Sequence, residues 1–401
     1  MFRKEGVMEQ ITLCDSTFDL FEPEIELPCI FQMGNDFYIC ATSYDAREQS
    51  RTEVRQVTKQ TLKDRYGIKD ITTIPYFETE CYVPAHIGYK PVIDNSINSY
   101  HPLPIKPRQG IWNTWEKLIR HIGQDKYEIV LNYLIVLFQH PTEKLPIIIF
   151  TSKENETGKS TFMQSVAYLL GNNAGIFGQD DLNSQFNVWI MNLLAVFEEI
   201  SDTKRSINKL KAISTAAKTT VNRKFMPQFS FEPFCKIMIA SNDEETCIQL
   251  NEEDTRYLVL KPEKIKDFDP DFDNKLKEEA PAVLWYLLNT APTIKKKSRM
   301  WFPAKDIKTE QFNKIVETSR SPIYQDIRLV VDEIMTENNL EELYISASEL
   351  ADKLRNRYAI NEIVTCLRKE FKIQNALVRY TPYLGFEEKV GRPYLFRVAN
   401  K

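Results

Sequence analysis

The 401-residue sequence predicts an α/β fold, with a mixed α+β region before the core and a small domain of helices and strands after it. Three observations carry that prediction. From Leu145 to about residue 262, short β-branched apolar runs alternate with helix-spaced segments, as in proteins built on a parallel sheet. One of those runs, Ile147–Phe150, leads through a polar loop directly into an apolar helix, Phe162–Leu170. Beyond residue 320, three helical segments precede two short strands. The domains drawn on this basis are 1–108, 109–300 and 320–401.

Residues 1–108 read as the mixed region. Cys29–Gln32 and Asp36–Ala41 flank Met33-Gly34-Asn35 as hairpin strands would. Arg47–Tyr66 reads as a polar helix ended by Gly67, and Pro84–Pro107 as irregular chain. From Trp112 the spacing of Trp115, Leu118, Ile119 and Ile122, then of Ile129, Tyr133, Leu134 and Leu137, is helical until Pro141 stops it. With 43% apolar and 27% charged residues the composition is that of a soluble globular protein. Seven Cys, without zinc-ribbon or redox spacing, and four scattered His argue against a disulfide scaffold or structural zinc and predict a cytoplasmic location. The opening MFRKEGVMEQ lacks an apolar signal core, and no run approaches the ~20 residues that span a bilayer, so no membrane partner is expected. A net charge of −4 means that any nucleic-acid binding needs a local basic surface.

The chemistry begins after Phe150. Thr151-Ser152-Lys153-Glu154-Asn155-Glu156-Thr157-Gly158-Lys159-Ser160-Thr161 joins strand to helix, the context a phosphate-binding P-loop requires. Gly158 allows the backbone close to a polyphosphate, and successive amides from Asn155 to Thr161 with the helix N-terminus form an anion nest. Lys159 holds the β- and γ-phosphates of ATP in this reading, and the Ser160 hydroxyl ligates Mg²⁺. Lys153 stands where the pattern's first Gly would, which predicts an altered start to the loop if the backbone there is left-handed.

A nucleotide hydrolase also needs acids near the metal and the attacking water. Leu193–Phe197 is an apolar strand ending in Glu198 and Glu199, one acting through the metal shell and the other as general base. Glu198 is taken as the metal-side acid and Glu199 as the base. A third strand, from Lys236, ends at Ser241-Asn242, where Asn242 can orient water at the carboxyl edge of the sheet. Arg256, before the strand Leu258–Leu260, can stabilise transition-state charge on a neighbouring subunit's nucleotide. An ion pair with Asp254 or Glu253 is its other reading.

Ser201–Lys224 supplies the local excess of positive charge, with Lys204, Arg205, Lys209, Lys211, Lys218, Arg223 and Lys224 against Asp202 alone. Lys218–Phe225 alternates as a hairpin arm would, its cations suited to phosphates and Phe225 to base stacking. A second basic cluster, Lys295-Lys296-Lys297-Ser298-Arg299, has no assigned role. In the last domain a helix from Ile323, a second opened by Ser346 with Glu349 as a capping box, a third from Ile360 and strands at Leu377–Leu384 and Pro393–Val398 follow the order of a winged helix. Arg368, Lys369 and Lys372 would meet duplex DNA.

Taken in order, Gly158-Lys159-Ser160-Thr161, Glu198-Glu199, Lys218–Phe225, Asn242 and Arg256 resemble the ATPase core of superfamily 3 helicases, in the branch of phage, plasmid and pathogenicity-island primase–helicases. The resemblance spans about residues 110–262. It implies an AAA+-like P-loop ATPase using ATP and Mg²⁺, assembled as a homo-hexamer that threads single-stranded DNA. Lys218, Arg223 and Lys224 then line the pore, Arg256 acts in trans, and the winged helix takes origin duplex DNA. The alternatives are an ATPase that loads or remodels without unwinding, and a DNA-binding module with an inactive nucleotide site.

Overall fold

The computed structural model describes residues 29–44, 50–201, 206–224, 228–381 and 388–397. The chain divides into two compact units, one of residues up to Cys247 with Asp254–Gln311, the other of Ile248–Glu253 with Phe312–Lys401. Among the described residues no helix is long and apolar enough to cross a membrane.

Five parallel strands form the heart of the first unit. Across the sheet they run Tyr257–Leu260, Ile147–Thr151, Lys236–Ser241, Leu194–Phe197 and Ala174–Phe177. All but the last are buried end to end, which explains their unbroken apolar runs. Their side chains alternate between faces. Ile148, Phe150, Leu194, Val196, Met238, Ala240, Leu258 and Leu260 point into one core with helices Asn113–Gly123, Tyr127–Gln139, Lys159–Leu170 and Phe272–Asn289. The helix Tyr127–Gln139 is buried all round from Ile129 to Phe138, and Asn132, the polar residue in that stretch, is hydrogen-bonded to Thr293 and Ile294. Polar ties fix the helices, with Trp115 Nε1 donating to the Leu276 carbonyl (2.8 Å) and Thr114 Oγ1 to Glu279 (2.7 Å).

Ahead of this core, Ile30–Met33 and Asp36–Tyr44 form the expected hairpin around Gly34, whose φ is +62°. The polar helix read at Arg47–Tyr66 is corrected. Ser50–Val57 is an edge strand paired with Asp36–Tyr44, and only Lys59–Tyr66 is helical, capped by Thr58 and closed by left-handed Gly67. Val54, Arg55 and Gln56 are all exposed, so the strand is held by backbone pairing with its neighbour more than by a buried face. Within Pro84–Pro107 the otherwise irregular chain includes two short strands, Val92–Ile93 and Ser96–Asn98.

One buried histidine ties this region to the core. His86 Nδ1–H donates to the Phe138 carbonyl (2.8 Å), which leaves Nε2 to accept from the Tyr100 hydroxyl. Burial holds its pKa down at about 4. The unfolded chain takes up this proton near pH 6.5 and the folded chain only near 4, so the stability is complete above 6.5 and lost as pH falls towards 4. Urea unfolding is expected to lose about 3 kcal/mol across that window, and His86→Gln to remove that component. An unchanged pH slope in the variant would refute the assignment.

The second unit holds helices Pro322–Glu337, Ala347–Lys353 and Ile360–Lys369 around Ile327, Leu350, Ile363 and Leu367. Ser321 caps the first, and Ser346 with Glu349 forms the capping box of the second. Glu342–Ile345, a strand the sequence did not betray, lies between these two helices and pairs antiparallel with Tyr394–Arg397. Val378–Tyr380 pairs with Lys389–Gly391.

Candidate nucleotide site

The parallel strands all end at one edge of the first unit, and the chemistry-bearing residues follow those ends. Gly158 has φ +77° and caps the helix Lys159–Leu170 without any side-chain hydrogen bond, so the first amides of that helix are free to meet an anion. Glu156 is left-handed too (φ +59°), giving the loop two reversals around Thr157. A Cβ on Gly158 would meet Ile265 Cδ1 (3.4 Å) and His121 (3.7 Å) at ordinary contact distance, so it is the left-handed backbone and not crowding that favours glycine.

The loop is held from outside. The Ile265 amide donates to the Glu156 carbonyl (3.0 Å), Lys264 pairs with Glu156 (3.3 Å), and His121 Nε2 meets the Thr157 carbonyl (3.2 Å). An open depression beside the loop is lined by Glu154, Glu263, Lys264, Ile265 and Lys266. Lys153 is not left-handed, so the penalty attached to a non-glycine there does not arise. Its amide donates instead to Glu244 Oε1 (2.9 Å), whose other oxygen accepts from Lys261 (2.8 Å).

Lys159 is buried, and its Nζ donates to the Ser152 carbonyl (2.9 Å) and to Asn242 Oδ1 (3.2 Å). Burial pulls its pKa below the usual lysine range, while Glu244 pushes it back up. Asn242, directly after Lys236–Ser241, thus touches the lysine because its strand lies beside Ile147–Thr151. Glu198 reaches the same helix by another route. Its Oε1 accepts from Gln164 Nε2 (2.9 Å), and Gln164 lies one helical turn beyond Ser160 on the same face. Glu199 is exposed and left-handed, with φ +54°, next to buried Ile200, whose amide bonds the Ala240 carbonyl. Lys159, Asn242 and Glu198 are therefore brought to one end of the sheet. Ser160 is exposed and Thr161 half-buried at the start of the helix, and Asn155 is exposed in the loop.

Arg256 donates to Asp254 (2.9 Å), and Lys211 pairs with the same buried carboxylate (3.2 Å). The ion-pair reading of Arg256 is thus present, though its Nε–H is buried without an acceptor among the described residues. Thr219–Val221 and Phe229–Phe231 form an antiparallel hairpin. Lys218 and Lys224 are exposed on it, whereas Arg223 packs over the Phe229 ring (4.7 Å) and donates to Met191 Sδ. Lys209 donates to the Ser184 carbonyl and lies over Trp189, so it is not a free cation. Phe225, Lys204 and Arg205 lie outside the described residues. In the second unit Lys372 is paired with Glu252 (3.0 Å) and Glu253 (3.3 Å).

Gln164, Glu244, Asp254 and Ile265 escaped the sequence reading as site residues. Only Gln164 carried a local signal, its spacing of four from Ser160.

Residues 150–256 match a family of unknown function (DUF5906). No curated protein matches the sequence. The apo structure of the NrS-1 C-terminal region is similar at 18% identity with a TM-score of 0.62, covering 89% of this chain and 96% of that one. An A-form apo structure of the same region gives 17% and 0.62, over 91% and 94%. The likeness establishes a shared fold across most of the chain. A JCV helicase structure overlaps at a TM-score of 0.29 and 15% identity, over 56% of this chain and 66% of that one, too slight to bear on the fold.

Proposed function

We propose that this chain is an ATP-driven DNA motor, a replicative helicase of the superfamily 3 kind that translocates on single-stranded DNA during phage, plasmid or mobile-element replication. One observation carries the reading. The loop lysine is hydrogen-bonded to Asn242, and Glu198 is tied to the loop's own helix, so three neighbouring strands bring these residues to one end of the sheet.

The donor set suits Mg²⁺ and ATP. Free helix amides, two left-handed loop residues and a buried ammonium fit polyphosphate, and the Ser160 hydroxyl with the Glu198 carboxylate offers the hard oxygens that Mg²⁺ prefers. Bound there, the metal would supply charge neutralisation across the β- and γ-phosphates. Lys159 exchanges the Ser152 carbonyl for phosphate oxygens. Asn242 orients the attacking water and Glu199 accepts its proton, while Gln164 keeps Glu198 on the metal side. Arg256 acts on a neighbouring subunit's nucleotide in a homo-hexamer, which requires it to exchange Asp254 for phosphate. Lys211 stays on the buried Asp254 carboxylate when Arg256 leaves it, so the acid keeps a cationic partner.

Lys218 and Lys224 at the hairpin track the strand backbone. The second unit, with its helix–strand–helix–helix–hairpin order, serves as a winged helix that engages origin duplex through Arg368 and Lys369. One observation favours a loader that does not unwind: Lys209, Lys211 and Arg223 are already engaged within the protein. A strand-displacement assay with ATP separates the two. For the helicase, Lys218→Ala with Lys224→Ala is expected to cut DNA-stimulated hydrolysis about tenfold, leave the DNA-free rate unchanged, and abolish displacement. Undiminished stimulation in that variant, or no displacement by the parent chain, rejects the helicase.

A further inference from the structure

The basic cluster after helix Phe272–Asn289 has the properties of a built surface. Lys295, Lys296, Lys297 and Arg299 are all exposed, four cations in five residues of a chain whose net charge is −4. Lys296 pairs with Glu143 (2.6 Å). Lys295, Lys297 and Arg299 have no carboxylate partner among the described residues.

The backbone beneath them is fixed. The Lys297 amide donates to the Trp301 carbonyl (2.9 Å), Ser298 Oγ to the Phe302 carbonyl (2.6 Å), and the Trp301 indole to the Ile294 carbonyl (2.7 Å). Trp301 is left-handed (φ +70°), stacked on His140, and buried between Met300 and Phe302. Side chains that follow such anchors can only face outwards. Cations on a fixed turn lose less entropy on binding than cations on a loose loop.

Its place matters as much as its charge. Glu143, which Lys296 grips, precedes Lys144, whose Nζ donates to the Pro233 carbonyl just past the hairpin strand Phe229–Phe231. Lys236, at the start of its strand, donates to the Pro141 carbonyl. The turn and the base of the hairpin therefore share the amino-terminal edge of the sheet, opposite the nucleotide site. We infer that Lys295, Lys297 and Arg299 form a second contact for a nucleic-acid phosphate backbone, continuous with the hairpin. This rests on the DNA-motor reading. A nucleic-acid backbone is favoured over an acidic peptide because the turn offers exposed point charges beside the hairpin, and point charges suit contacts to phosphate.

The test uses the full chain with Lys295→Ala, Lys297→Ala and Arg299→Ala combined, beside a charge-keeping control of Lys295→Arg, Lys297→Arg and Arg299→Lys. Binding to a single-stranded oligonucleotide and to a blunt duplex is measured across salt. Each phosphate contact contributes ~0.7 to the log–log salt slope for single strands and ~0.9 for duplex. The alanine variant is expected to lose about 2 to 3 from the slope in whichever arm supplies the backbone, with the control and the DNA-free ATPase rate unchanged. If the parent binds DNA and the slope stays the same in both arms, this inference fails while the motor reading stands. Loss of poly-glutamate binding with DNA binding intact would also overturn it, in favour of an acidic protein partner. Failure of the parent chain to bind either DNA removes both.

Discussion

Lys159→Ala is expected to lower ATP hydrolysis by at least about 10³-fold and to weaken nucleotide binding as well. The reason is position as well as charge. The ammonium is buried between the Ser152 carbonyl and Asn242, so nothing else in the loop can bring a cation to the same point. Lys153 and Lys264 are exposed and already paired with Glu245 and Glu156. Folding should survive. Burial opposes the charge of Lys159 in the native state, so its removal leaves two acceptors to water rather than breaking a packed core. Thermal unfolding separates site damage from misfolding. The parent should gain roughly 3 kcal/mol from Mg²⁺ and ADP at a hundredfold excess over Kd, and the variant should not. A variant that melts normally and still turns over ATP at the parental rate would remove the phosphate-binding role from this loop.

The parts of this site that could be read from sequence are those whose logic is local. Strand, loop, Gly158-Lys159-Ser160 and helix are contiguous, and an apolar strand ending in Glu198-Glu199 declares itself. What joins them is tertiary. Nothing within Lys236–Ser241 says that it slides between Ile147–Thr151 and Leu194–Phe197, yet that order alone brings Asn242 onto Lys159. The basic stretch was legible as charge but not as partnership. Lys211 and Arg256 meet on Asp254 because the strand before which Arg256 sits packs at the sheet edge, a fact no spacing encodes. Ser50–Val57 was misread as helix for a related reason, since a polar strand gains its stability from the neighbouring edge and carries little periodic signal of its own.

Glu199→Gln is the second large effect, an expected fall in turnover of about 10²–10⁴-fold with nucleotide binding retained. The two acids are adjacent, but the fold treats them differently. Glu198 is half-buried and held by Gln164, which suits a fixed, metal-side carboxylate. Glu199 is exposed on a left-handed residue, a conformation costing an ordinary side chain about 1 kcal/mol, imposed by the anchoring of Ile200 to the neighbouring strand. Such strain persists only where the surrounding structure imposes it, and here it falls on an exposed carboxylate directly after the strand that carries Glu198. Glu199→Gly should therefore match the parent in stability or exceed it by up to about 1 kcal/mol, while losing hydrolysis as completely as Glu199→Gln. Glu198→Gln should instead raise the Mg²⁺ concentration needed for half-maximal rate. Single-turnover hydrolysis across a Mg²⁺ titration distinguishes the pair: full activity in Glu199→Gln beside a dead Glu198→Gln would reverse the assignment, and a destabilised Glu199→Gly would remove the argument from strain.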